Sequence, residues 1–477
     1  MSMSFTSRKA LLGLACLVAQ ASAFWRLPCG SPLIVERSDP IVNPGVPSGH
    51  SHTIMGANSF NFTMEGDFTS RATCTTCKVK EDMSNYWFPN LYFQGKDGSF
   101  TAVKQTGGAL VYYLQRQDKK DPEYSKGLIA FPEGFRMLAG TPSLRSYSNT
   151  LEQRAVNYVC LGTNEPHANN MPNVNCPGGL RSQIVFPSCW DGKNLDSANH
   201  KSHVAYPSAM DNGFCPPTHP KRFITIFVEV VWQVDAFKDM WPTAGKNPFV
   251  FSNGDPTGYG FHGDFVNGWD VDVLQKAITT CTDPSGVIEY CKAFTLLPDS
   301  GMNTCKRLAH IDEEILGSNM KSLPGCNPVQ AGPQAASPPG SCKAPGTIPP
   351  QPIPPFANVK PTKNWRFVTC GLDGNGLPGR TLSGASYANN NNTVENCVDF
   401  CQKKGFRFAG VEYSAECFCG NTIPKDRMPK QGSLGSCNMP CSGNKKQMCG
   451  GSGQIGIYEN CRLVNGTCTN MALSQWQ

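Results

Sequence analysis

Short apolar runs rich in β-branched and aromatic residues, separated by long polar stretches, dominate the first two thirds of the chain. Bounded by Gly, Pro or Asn, they predict strands at residues 109–115, 182–186, 223–234 and 249–252. Helical periodicity is rare there and is confined to residues 271–280 and 312–316. The pattern therefore predicts a mostly β fold, with a large, loop-rich, β-sandwich-like or jelly-roll domain.

A proline-rich stretch ends this pattern. Residues 328–361 hold 11 of the 38 prolines, and such a run favours extended polyproline II and acts as a semi-rigid spacer. We therefore expect a β-rich domain at residues 24–326, a linker at 327–362, a small domain at 363–460 and a tail at 461–477.

The first 23 residues have the form of a secretory signal peptide, with Arg8 and Lys9 before a short apolar segment and Ala-Ser-Ala at the end. One of the 23 cysteines lies in this leader, and the remaining 22 predict a disulfide framework in an oxidising compartment. No other apolar run approaches the length of a membrane span. We expect a secreted glycoprotein without a membrane anchor, with glycosylation sequons at Asn61, Asn391 and Asn465.

Composition narrows the function classes only a little. Hydrophobic residues make up 39% of the chain, which is enough to bury a core and excludes wholesale disorder. The net charge of +6 is too small to indicate nucleic acid as a partner.

Eight cysteines follow the linker, within motifs such as Cys-Phe-Cys-Gly-Asn at residues 417–421 and Cys-Gly-Gly at 449–451. They are Cys370, Cys397, Cys401, Cys417, Cys419, Cys437, Cys441 and Cys449. A helix at residues 394–404 and a strand at 408–413 complete a small α+β unit stapled by four bridges. This pattern resembles the WSC domain, a module of fungal cell-wall sensors and secreted carbohydrate-active enzymes. The resemblance implies binding of cell-wall polysaccharide of the glucan or xylan type.

Aromatic faces stack on sugar rings, so the ligand-binding candidates of the small domain are Tyr413, Phe418 and Tyr458. The alternative is that these rings fill its small core. Cys461 and Cys468 lie beyond the module and are expected to pair with each other.

Four motifs of the large domain, at residues 44–52, 188–194, 200–207 and 254–269, resemble a secreted fungal family of unknown function, number 1996. The resemblance covers residues 29–290 and implies a frequent partnership with a WSC module, but it brings no mechanism.

Five of the eight histidines lie in these motifs: His50, His52, His200, His203 and His262. Residues at i and i+2 of an extended segment share a face, so His50 and His52 could hold one ion together, and Asp264 could add an oxygen ligand. We expect the five histidines and Asp264 to gather around one loop-lined pocket, with Trp190 and Trp269 as sugar platforms. No cofactor is certain; a metal ion at the histidines is one possibility and its identity stays open. In the other interpretation, these histidines cross-link long loops by hydrogen bonds.

Two carboxylates offer a second chemistry. Asp191 and Asp264 lie in Gly- and Trp-rich turns, and glycoside hydrolysis needs two carboxyls about 5–10 Å apart. Turn aspartates, however, often serve their own backbone. Two functions therefore remain: a wall-associated protein whose large domain binds or processes saccharide, or a carbohydrate-active enzyme, above all a glycoside hydrolase, that its WSC-like module targets.

Overall fold

The computed structural model describes residues 23–463 except 67, 70, 71, 73, 211, 308, 338–345, 348–356, 358, 374–378, 425–426, 428–436 and 438. The predicted leader up to residue 22, half of the linker, Asn465 and Cys468 lie outside the described residues.

Strands are the main regular elements of the chain before the small domain. In chain order they are β1 (Phe24–Pro28), β2 (Ile34–Glu36), β3 (His52–Gly56), β4 (Asn85–Pro89), β5 (Leu91–Gln94), β6 (Phe100–Ala102), β7 (Gln105–Leu114), β8 (Arg136–Gly140), β9 (Val156–Leu161), β10 (Gly179–Val185), β11 (Cys189–Trp190), β12 (Val204–Ala205), β13 (Lys221–Arg222), β14 (Thr225–Trp232), β15 (Phe249–Phe251), β16 (His262–Val266), β17 (Ile311–Asp312) and β18 (Gly346–Thr347). The α-helices of this part are α1 (Leu151–Arg154), α2 (Val271–Thr280) and α3 (Asp299–Thr304). Short 3-10 helices lie at Tyr124–Lys126, Val234–Met240, Ile288–Tyr290 and Pro324–Cys326.

Two antiparallel five-stranded sheets form the sandwich. Sheet I has the order β1-β7-β14-β10-β9 and sheet II the order β2-β3-β4-β16-β8. Along β14, Ile226, Val228 and Val230 are buried in the core that both sheets share, and they alternate with less buried positions. The hydroxyl groups of Tyr86 in sheet II and Tyr113 in sheet I are 2.6 Å apart. The predicted mostly β, sandwich-like architecture is confirmed.

Sheet II also buries its other face. Successive side chains alternate between faces, so Ile54, Trp87 and Leu138 point away from the main core into a second apolar cluster that includes Ile41 and Phe60. The loops that lead into and out of β3 supply Ile41 and Phe60. Every position of β3, β4 and β16 is therefore buried.

The four predicted strands correspond to β7, β10, β14 and β15, and the helix predicted at residues 271–280 is α2. Asp270 caps it by accepting hydrogen bonds from the backbone N–H groups of Asp272 and Val273. The helix predicted at residues 312–316 is wrong. Ile311 and Ile315 have helical spacing. In the structure, however, Ile311 pairs with Thr347 in a two-stranded sheet, and Ile315 lies in a loop with its side chain buried.

The chain after the linker folds around one antiparallel sheet. Its elements are α4 (Lys360–Lys363), β19 (Trp365–Leu372), β20 (Ala385–Ala388), α5 (Val394–Lys403), β21 (Phe408–Glu412), β22 (Glu416–Gly420), β23 (Gln454–Asn460) and a 3-10 helix at Cys461–Leu463. The sheet order is β19-β23-β21-β22-β20, and α5 packs on β21 and β22. None of the helices in the described part of the chain has both the length and the apolar character needed to cross a bilayer.

Disulfides staple both regions. Cys397 and Cys401 share one face of α5, and they pair with Cys417 and Cys419, which share one face of β22. The other bridges with both ends described are Cys370–Cys437, Cys441–Cys449, Cys29–Cys77, Cys74–Cys305, Cys160–Cys176, Cys189–Cys215 and Cys281–Cys291. The eight cysteines of the small domain therefore form four bridges.

Candidate functional site

His50, His52 and His262 meet on the loop-covered face of sheet II. His52 begins β3 and His262 begins β16, with β4 between the two strands. His52 is opposite Pro89 in β4, and Asp264, two residues after His262, is opposite Trp87. The register therefore puts His52 and His262 on the same face, while His50 reaches that face from two residues before β3.

The three imidazoles are in contact. The centroids of the His50 and His52 rings are 4.4 Å apart, and His262 lies 4.9 Å from His50 and 5.7 Å from His52. The Nε2 atoms of His50 and His262 are 2.9 Å apart. One ring nitrogen from each histidine lies within 4.8 Å of the other two, so the three nitrogens could hold one metal ion.

The hydrogen-bond network assigns the protons. His262 Nδ1 donates to the carbonyl oxygen of Gly260 at 2.9 Å, so its Nε2 carries a lone pair. Burial lowers the pKa of His262 to about 4, and it lowers the pKa values of His50 and His52 well below the usual value. All three rings are therefore neutral at physiological pH, as metal ligands must be.

His52 is the unusual member of the cluster. Its side chain is 0% exposed, and neither ring nitrogen has a hydrogen-bond partner of ordinary geometry. The backbone of Ser38 lies close enough to raise the pKa of His52, but this effect is smaller than that of burial. A buried nitrogen without a hydrogen-bond partner costs about 1–3 kcal/mol. A ligand that bonds to the His52 ring would remove this cost.

The predicted sugar contacts of the small domain differ in exposure. Tyr458 is 0% exposed and packs on Phe367, and Phe418 is 8% exposed beneath the guanidinium of Arg380. Tyr413 is 55% exposed at the tip of the β21–β22 hairpin. Only this last ring of the three offers an open face to a sugar.

Comparison with known proteins matches two separate parts of the chain, one before the proline-rich linker and one after it. The model of a domain of unknown function, DUF1996, matches residues 39–269, and the model of the WSC domain matches residues 367–451. The chain combines a DUF1996 domain with a WSC domain.

The curated relatives are similar over about a fifth of this chain. A WSC domain-containing protein of Arthroderma benhamiae is 39% identical over 102 residues, which are 21% of this chain and 11% of that protein. Kremen protein 2 of Mus musculus is 38% identical over 93 residues, 20% of each chain. A protein named putative fungistatic metabolite, from Chaetomium globosum, is 38% identical over 81 residues, 17% of this chain and 36% of that one. The chain thus spans well under half of the length of each.

Two of the predicted histidines of the DUF1996 domain lie apart from the cluster. His203 is hydrogen-bonded at both ring nitrogens, to the Ser197 hydroxyl at 2.9 Å and the Arg136 carbonyl oxygen at 2.8 Å. His200 Nδ1 lies 2.8 Å from a carboxylate oxygen of Asp196. These contacts fasten the loop before β12. The structure therefore brings together three of the five histidines expected in one pocket.

Asp191 and Asp264 have different surroundings. The Asp191 carboxylate accepts hydrogen bonds from the backbone of Lys193 and Asn194, and so it caps its own turn. Asp264 is fully buried, neither oxygen has a hydrogen-bond partner, and burial together with Asp39 raises its pKa well above the usual value. Asp264 is thus sealed from water, and a polysaccharide has no access to it in this structure.

The two predicted tryptophan platforms differ in burial. Trp269 is buried, donates its indole N–H to the Tyr113 hydroxyl at 2.7 Å and packs on Phe294. Trp190 is half-buried, with one face stacked on Phe223. Trp269 belongs to the main core, so it offers no face on which a sugar could stack.

Sequence reasoning missed two arginines beside the histidines. Arg37 and Arg145 both lower the pKa of His50. Arg37 Nε is 2.5 Å from Glu313, and Arg145 Nε is 3.8 Å from Asp255. Each buried cation thus has its own carboxylate. No local motif announces these pairs, because each joins segments more than 100 residues apart.

The WSC domain has its own charged cluster, also missed. Arg380 Nη1 lies 2.8 Å from Glu412 and 3.2 Å from Asp373. Burial and the neighbouring Asp373 raise the pKa of Glu412 to about 9. The carboxyl groups of Glu412 and Asp373 are hydrogen-bonded and so share a proton. The guanidinium of Arg380 packs on the Phe418 ring.

Proposed function

We propose that this protein is a secreted, wall-associated protein that binds polysaccharide of the glucan or xylan type through its WSC domain. The DUF1996 domain would bind or process saccharide on the same wall. The WSC domain and the WSC-containing relatives support a carbohydrate-binding or cell-wall role. The observation that carries the finer proposal is the exposed ring of Tyr413.

The backbone holds this ring in an uncommon conformation. Tyr413 has φ 43° and Ser414 has φ 65°, in the left-handed region that bulky residues avoid at a cost of about 1–2 kcal/mol each. The hairpin tip is tied down, because Ser414 N–H donates to the Cys449 carbonyl at 3.1 Å and the bridge to Cys441 fixes Cys449. A rigid, exposed aromatic ring is pre-organised to stack on a pyranose.

Polar groups near the tip suit sugar hydroxyls. Arg380 is partly exposed and is held by Glu412 and Asp373, and Glu416 Oε2 lies 3.9 Å from its guanidinium. A fixed cation and a carboxylate beside an aromatic ring can orient a sugar by hydrogen bonds while the ring provides contact area. The site is shallow, so we expect weak affinity for one chain end and stronger retention on insoluble polymer.

The support for saccharide binding or processing by the DUF1996 domain is less specific. A cavity of about 980 Å³ opens between residues 115–128 and 275–282, which is wide enough for several sugar units. Its lining includes Arg116, Lys119 and Tyr124 and none of the residues predicted as sites. The glycoside-hydrolase alternative has less support, because Asp264 is sealed and Asp191 caps a turn.

Retention on insoluble fungal glucan and on xylan tests the proposal. Tyr413→Asn removes the ring but keeps a residue that tolerates positive φ, so the fold should survive while retention weakens about tenfold. The matched control is Tyr290→Ala, which removes an equally exposed tyrosine (61%) before the linker and should change nothing. Equal retention of Tyr413→Asn and wild type, or of a reduced and unfolded sample, would contradict the proposal.

A further inference from the structure

We propose that His50, His52 and His262 bind a late first-row divalent metal ion, zinc(II) or copper(II), with one coordination position open on the His50 side. This inference does not rest on polysaccharide binding by the WSC domain. It rests on the distances among three imidazoles and on the hydrogen bonds that they do and do not make.

The geometry is close to that of a metal-bound set. Two nitrogens bound tetrahedrally at 2.0–2.1 Å lie about 3.3 Å apart. The Nε2 atoms of His50 and His262 are 2.9 Å apart and would separate by a few tenths of an ångström, while His52, whose nitrogen lies within 4.8 Å of both, would move inward. Rotation of side chains that β3 and β16 already place on one face suffices for these movements.

Hydrogen bonding alone explains only two of the three rings. His262 Nδ1 donates to Gly260, and His50 Nε2 can donate to the lone pair of His262 Nε2. His52 remains without a hydrogen bond of ordinary geometry at either nitrogen although it is fully buried. A purely structural role predicts a partner for each histidine, as His203 has; a metal ion would give His52 the missing partner.

The donor set determines the class of ion. Three neutral nitrogens, with neither a thiolate nor a carboxylate among them, suit zinc(II) and copper(II) and disfavour calcium and magnesium, which need oxygen ligands. The described residues contain a second candidate metal site, formed by Cys397, Cys401 and Cys417. These cysteines are disulfide-bonded, so they have no thiolate with which to bind a metal ion.

Charge and access fit a three-ligand site with an open fourth position. The positive field of Arg37 and Arg145 opposes a cation, but Glu313 and Asp255 neutralise these arginines. His52 and His262 are buried, whereas His50 is partly exposed and follows the exposed Gly49. Water or an anionic oxygen would therefore reach the ion from the side of Gly49.

The test uses the full-length, untagged, disulfide-intact chain, because a histidine tag or free thiols would bind the same ions. After chelation and equilibrium dialysis against zinc(II), and separately copper(II), metal analysis should find one ion per chain, and calcium should not bind. At a hundred times Kd, the ion should raise the Tm of the domain by roughly 5–10 °C. Cobalt(II) bound there should show the intense visible absorption of a four-coordinate nitrogen site.

Two variants and one control decide the outcome. His50→Ala and His262→Ala should each lower binding at least a hundredfold, whereas His167→Ala, which removes an exposed histidine of the same domain, should bind like wild type. If His262→Ala fails to fold, the partly exposed His50→Ala carries the test. Less than a tenth of an ion per wild-type chain, or equal binding by His50→Ala and His167→Ala, would overturn the proposal.

Discussion

Both domains contain buried ion pairs, but they differ at their most deeply buried unpaired groups. In the WSC domain, the carboxylate of Glu459 lies 2.6 Å from a guanidinium nitrogen of both Arg366 and Arg407. In the DUF1996 domain, His52 and Asp264 are as deeply buried but make no side-chain hydrogen bond of ordinary geometry. A buried charge with its partners in place stabilises an architecture, whereas a buried polar group without one needs a separate explanation.

They also differ in what holds them together. The DUF1996 domain has a sandwich core that draws on both five-stranded sheets, while the WSC domain packs one short helix on one sheet. A small core leaves little stability in reserve, so four bridges replace part of the hydrophobic term. The same cross-link should therefore matter more after the linker than before it.

The largest expected effect comes from removing matched disulfides. Cys401–Cys419 and Cys160–Cys176 close loops of similar sequence separation, 18 and 16 residues, so each should contribute about 3 kcal/mol. Replacing both cysteines of the first pair by Ser should unfold the WSC domain, whereas the same change at the second should leave the DUF1996 domain folded. Limited proteolysis with mass mapping of the fragments distinguishes the two. Equal protease resistance would remove the contrast between the domains.

A smaller effect should follow from Glu412→Gln, which keeps the side-chain shape but cannot titrate. The folded-state pKa of Glu412 is raised to about 9, so its stabilising contribution is complete below the unfolded pKa near 4.3 and is lost as pH rises towards 9. The variant should match wild type at pH 4 and be more stable at pH 8, by on the order of 1–3 kcal/mol.

Hydrogen exchange of WSC peptides at the two pH values measures this difference within the full chain. A variant that is less stable at pH 8 would mean that Glu412 is ionised and that its ion pair with Arg380 dominates.

The smallest expected effect compares two buried histidines. In metal-free protein, His52→Leu should change the free energy of unfolding by less than about 1 kcal/mol, because no side-chain hydrogen bond of ordinary geometry is lost. His203→Leu should cost more, about 1–3 kcal/mol, because it leaves the Arg136 carbonyl and the Ser197 hydroxyl without their partner. Denaturant unfolding of both variants after chelation gives the comparison, and equal losses would show that His52 has a partner of its own.

The sequence predicted what depends on local pattern. Apolar runs located β7, β10, β14 and β15, and the helices predicted at residues 271–280 and 394–404 are α2 and α5. It also brought His50 and His52 together, because alternation along a strand is a local property.

The sequence could not predict what depends on sheet order and covering loops. His262 joins His52 only because β16 and β3 both flank β4, and no periodicity encodes that order. Trp269 and Tyr458 resemble exposed aromatic platforms in sequence, but packing buries both. The ion pairs of Arg37 and Arg145 likewise depend on segments that are distant along the chain.

We propose that the WSC hairpin, and not the histidine cluster, makes the contacts that retain the protein on wall polysaccharide. The most direct measurement is the retention of three full-length proteins, wild type, Tyr413→Asn and His50→Ala, on the same insoluble glucan and xylan. Retention should be about tenfold weaker for Tyr413→Asn and equal to wild type for His50→Ala. Wild-type retention by Tyr413→Asn together with loss in His50→Ala would contradict it.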